Sequence, residues 1–165
     1  MKNFKDLLVE LNACKEAVVW AGDMPIEEVV EKCHRGDWLL WLAAKIDIGL
    51  QPLTLAKGHC ANTVRHLMED ERSIRAVDAA IDFGNGKITK EQLKAAAYDA
   101  YAAYAADADA RAAYTAYAAA RAAAYDAARA AAYDAQKQNR LQTADICRKY
   151  IGDLIIEKVN ELLKQ

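Results

Sequence analysis

A chain of 165 residues is long enough for one domain with a real core, and its 22 basic and 24 acidic side chains nearly cancel. That balance gives no electrostatic reason to expect long nucleic acid or an anionic membrane as the main partner. Charges run through the first turns from Lys2 to Asp6, and no 18-residue window is strongly apolar without a charge, so the expectation is a cytoplasmic chain with neither signal peptide nor membrane span.

Asn3 can cap a first helix whose apolar residues Leu7, Leu8, Leu11, Cys14, Val18 and Val19 recur at helical spacing until Ala21-Gly22-Asp23 ends it. Pro25, with Glu27 and Glu28 behind it, suits the first turn of a second helix that stops at Arg35-Gly36. Asp37 can cap a third, from Trp38 to about Ile48, closed by Gly49. The pattern predicts further helices over 53–69 and 72–83, the turn Gly84-Asn85-Gly86, and a capping box in which Gln92 follows Thr89 by three positions. Short helices over 145–150 and 153–163 complete the chain, and no strand is predicted. The four cysteines form no Cys-x-x-Cys pair and read as buried thiols. The expected fold is all-α, a single-domain helical bundle over 1–165 with three parts: short helices with a Trp-rich corner over 1–83, an alanine-rich helix or helix pair over 88–138, and C-terminal helices over 141–165.

The alanine-rich part holds 25 alanines between positions 95 and 135. Ala loses no side-chain entropy on entering a helix, so this stretch is strongly helical and not a solvated disordered tract. One helix of such length would outrun a compact domain, so it must break or find a partner, and Asp107-Ala108-Asp109 is the expected break. Tyr104, Asp107, Arg111, Tyr114, Tyr117, Arg121, Tyr125, Arg129 and Tyr133 follow in steps of three or four, which keeps them on one slowly winding face. That stripe reads either as a half-buried face with helix-supporting pairs, or as a recognition surface, since Tyr and Arg suit interface hot spots and nucleotides alike.

Other candidate sites are weaker. The turn at Asn85-Gly86 lacks the carboxylates of a calcium loop, and His34, His59 and His66 match no compact zinc pattern, so neither metal nor cofactor is expected. No nucleophile elbow or phosphate loop is present, and the chain is not expected to be an enzyme. The densest cluster runs from Cys33 to Leu42. Here Gly36 permits a tight turn, Trp38 and Trp41 share a face, and Trp20 can join them. It reads as a core corner locked by the Arg35/Asp37 pair, or as a binding surface made of Arg35, Asp37, Trp38 and Trp41.

Four segments together carry a family likeness: Ala13-Cys14-Lys15-Glu16-Ala17, Cys33-His34-Arg35-Gly36-Asp37-Trp38-Leu39-Leu40-Trp41-Leu42-Ala43, the alanine-rich run, and Ala144-Asp145-Ile146-Cys147-Arg148-Lys149-Tyr150. In these the chain resembles a bacterial immunity-protein family (immunity-protein-five-like) found in bacterial genomes and in phages. His34 stands where that pattern carries Pro or another small residue, and residues 57–75 follow it poorly. The resemblance implies a non-catalytic protein that neutralises a protein toxin or a defence effector, and it transfers no catalytic residues. Two alternatives stand beside it. One is a sponge that sequesters a small nucleotide signal in a pocket lined by the Tyr/Arg stripe. The other is a structural module in which alanine faces pair into a homo-oligomer.

Overall fold

The computed structural model describes residues 3–112 and 122–164, with side chains outside 102–133. These residues form α1 (Phe4–Glu10), α2 (Lys15–Ala21), α3 (Ile26–Lys32), α4 (Gly36–Lys45), α5 (Leu50–Asn62), a 3-10 turn (Arg65–Leu67), α6 (Glu71–Gly84), α7 (Lys90–Ala112) and α8 (Ala122–Leu163), with no strand among them. The protein is all-α, as its composition and periodicity indicate.

Side-chain caps set some of the helix starts. The Asn3 side chain accepts from the Asp6 amide at 2.9 Å while the Asp6 carboxylate accepts from the Asn3 amide at 3.3 Å, a reciprocal cap. The same device starts α7, where Thr89 and Gln92 exchange bonds of 2.8 and 3.3 Å. The single first helix expected up to Val19 is instead two, because Asn12 takes φ 60° and turns the chain between α1 and α2. Asp37 does not cap α4. It lies in the first turn of that helix, where its carboxylate is held by Arg35, and Arg35 occupies the cap position.

The core is organised on the second half of α8. Ala144, Cys147, Ile151, Ile155 and Val159 recur at steps of three or four and are at most 1% exposed. Around this stripe pack α1, α3, α4 and α5, which contribute Phe4, Leu7, Ile26, Val29, Leu39, Leu42 and Ala56. Burying each large aliphatic side chain contributes about 1.5–3 kcal/mol. Close backbone approach fixes the crossing of α4 on α8, since a Cβ at Gly36 would lie 2.7 Å from the Ala144 amide nitrogen. Arg148 of α8 donates to the carbonyls of Val30 (3.3 Å) and Cys33 (2.7 Å), satisfying acceptors that the end of α3 leaves open.

The second unit is the antiparallel pair α6 and α7, joined by the predicted turn at Gly84–Gly86 and resting on α5. Val77 is the one buried hydrophobic residue described in α6. Glycine contacts do much of the packing here: a Cβ at Gly58 would lie 3.1 Å from the Ala80 Cβ, and one at Gly84 would lie 2.7 Å from the Leu55 Cα.

Three expected breaks do not occur. α7 continues through Asp107-Ala108-Asp109, because alanines on both sides favour the helix more than a mid-helix Asp weakens it. α8 continues through 138–145 and through Gly152, so the C-terminal segment is one helix with the end of the alanine-rich run, about 63 Å long at 1.5 Å per residue. Gly152 is a packing position and not a stop, since a Cβ there would meet Val30 Cγ1 at 3.3 Å. No helix among the described residues is long and apolar enough to cross a membrane.

Candidate functional site

The turn from α3 into α4 gathers the residues that the sequence marks as a cluster. Arg35 extends back over its own helix start and donates from Nε to Asp37 Oδ1 at 2.8 Å and from Nη2 to Oδ2 at 2.6 Å. Its guanidinium also lies 4.6 Å from the Trp38 ring centroid and 3.7 Å from Glu16 on α2. Planar, bidentate and stacked, this arrangement is one that Lys could not reproduce. The Arg35 hydrogen bond holds the Asp37 carboxyl below the usual carboxylate range, against partial burial, and Asp37 in turn raises Arg35. The corner is therefore charged throughout ordinary pH.

Aromatic rings build the rest. Trp20 meets Trp38 at 5.8 Å and His34 at 5.6 Å between centroids, and His34 meets Trp38 at 6.0 Å. Trp41 lies one turn further along α4, with the Lys45 ammonium 5.9 Å from its ring. Below them Cys33 is buried and donates from Sγ to the Arg35 carbonyl at 3.4 Å, with burial pushing its thiol up. The structure thus brings Arg35, Asp37 and Trp38 together with His34 and the expected Trp20, and adds Glu16. Glu16 had no sequence signal linking it to Arg35, because the two meet only when α2 folds across the start of α4.

Two hollows flank this corner. One, of about 260 Å³, is apolar and lies among α1, α2, α3 and α4, with Trp20, Trp38 and Trp41 on its walls. The other, of about 320 Å³, is polar and is bounded by Glu16, His34, Arg35, Gln136, Lys137, Arg140 and Leu141. Lys137 and Arg140 are three apart on α8 and bring two further cations beside Arg35.

The cysteines divide. Cys33 and Cys147 are buried and Cys60 is half-buried, but Cys14 is exposed, contrary to its reading as a buried thiol, because it caps α2 at the surface. The Cys60 and Cys147 sulfurs lie 4.0 Å apart; their contact lowers Cys60 against its own burial, whereas contact and burial both raise Cys147. His59 and His66 stand on different elements, α5 and the 3-10 turn. His59 stacks on Tyr150 at 4.3 Å and 8°, and His66 sits exposed in the 3-10 turn. Among the described residues no three His, Cys, Asp or Glu side chains are grouped to hold a metal ion.

The Tyr/Arg stripe lies outside what is described. Tyr114, Tyr117 and Arg121 fall outside the described residues, and the side chains of Tyr104, Arg111, Tyr125 and Arg129 are likewise outside them. Comparison with known proteins adds no relative: no family model, no curated protein and no solved structure matches the chain.

Proposed function

We propose that this chain is a non-catalytic binding protein that neutralises a bacterial protein toxin or defence effector, and that it makes contact at the Arg35–Trp38 corner. One observation supports this reading above the others. Three of the segments that carry the immunity-family likeness are far apart in sequence but meet at one place in the fold. Glu16 reaches Arg35, Cys147 Sγ lies 3.6 Å from the Gly36 carbonyl, and Arg148 binds the Cys33 carbonyl at 2.7 Å. An Arg locked by a carboxylate and stacked on Trp is already ordered, so docking a partner on it loses little side-chain entropy.

Co-expression with the toxin or effector encoded next to the gene tests the reading. Protection of growth and a stoichiometric complex are expected. Arg35→Ala and Trp38→Ala should weaken that complex by about tenfold or more while leaving helicity intact. If the chain neither protects nor binds, the reading fails. If both variants bind as the parent does, the corner is not the contact surface.

A further inference from the structure

The geometry points to the apolar hollow beneath α2 as a binding site for a small, uncharged aromatic molecule, an inference that does not rest on the toxin reading. At about 260 Å³ the hollow is close in size to small-molecule pockets. It exists because α2 and the loop that leads into it present Ala13, Ala17 and Ala21, spaced four apart, toward α1 and α4, where larger side chains would have filled the space. Phe4 and Leu8 of α1 form the facing wall, and the three tryptophans of the chain all contribute to the lining. Water gains little in such a space, because the walls offer few hydrogen-bond partners.

The chemistry of the walls selects the ligand. Asp37 is the one ionised residue on the lining, and both of its oxygens are taken by Arg35, at 2.8 and 2.6 Å. The Cys33 thiol is spent on the Arg35 carbonyl. A charged ligand would lose its hydration and meet no free counter-ion. A flat apolar ring loses little on leaving water and gains contact with indole faces. Cys14 reports on occupancy, because the residue is exposed and also lines the hollow.

The test is titration of the purified chain with N-phenyl-1-naphthylamine, an uncharged probe that brightens in apolar surroundings and accepts energy from tryptophan. Saturable one-to-one binding is expected, with quenched tryptophan emission and slowed alkylation of Cys14 by iodoacetamide. The sulfonated analogue 1-anilinonaphthalene-8-sulfonate should bind about tenfold more weakly or worse, as should the parent probe to Ala17→Phe, which fills the space. Unsaturable binding, equal binding of the sulfonate, or undiminished binding by a folded Ala17→Phe chain would each overturn the proposal. Should Ala17→Phe not fold, Cys14 decides in the parent chain: no protection at saturating probe overturns it.

Discussion

The two halves of the fold are held together by different means. Around the second half of α8, branched side chains fill a core in which Ile151, Ile155 and Val159 are at most 1% exposed. Between α5 and α6 much of the packing is close backbone approach at Gly58 and Gly84, and Val77 is the one buried residue described in α6. The first kind of packing tolerates no cavity. The second tolerates no added atom. The difference teaches that helix propensity alone does not locate the stable part of a helical protein: α7 forms readily, yet none of its described side chains, over 90–101, is buried.

The largest expected effect is in the filled half. Ile155→Ala should destabilise the chain by about 4 kcal/mol, through lost burial and the cavity left behind, measured by urea unfolding. A change under about 1 kcal/mol, on the order of an exposed substitution, would mean that the α8 stripe is not the core. Gly84→Ala should cost about 2 kcal/mol, because the new methyl group meets Leu55 backbone, even though Ala favours the helix itself. Hydrogen exchange should then show lost protection in α6 and α7 while α8 from 144 to 159 keeps its own. Equal loss in both halves would break the comparison.

The smallest effect is a pH dependence at the seam between the two halves. His59 on α5 stacks on Tyr150 of α8, and burial, with Lys149 second, lowers its pKa from the ordinary 6.5. The unfolded chain therefore binds the proton more readily. The contribution is fully present above pH 6.5 and is lost as pH falls through the depressed folded value. Stability should fall slightly from pH 7 toward pH 5, and His59→Phe should flatten that slope. An unchanged slope in the variant would assign it to other groups.

Much of the corner was legible from residue order. Arg35 and Asp37 are two apart at a Gly turn, and Trp38 and Trp41 share a helical face, so their grouping needs only local geometry. Glu16, Lys137 and Arg140 were not legible, because nothing local relates positions so far apart along the chain. Gly152 and Asp107 to Asp109 misled for a related reason: a residue type that often ends helices does so only when the flanking residues and the packing permit it.

The sequence by itself determined that the chain is helical, where most helices begin, and that Arg35, Asp37 and the tryptophans lie near one another. Those facts follow from propensity, capping and 3.6-residue periodicity, which act over a few positions. The tertiary structure decided that α8 runs unbroken, that Gly36 and Gly84 are contact points as well as helix ends while Gly152 is a contact point and not a stop, and that α2 closes over a hollow walled by all three tryptophans. Those outcomes depend on which surfaces meet, and the meeting of distant surfaces is settled by the fit of whole helices against one another.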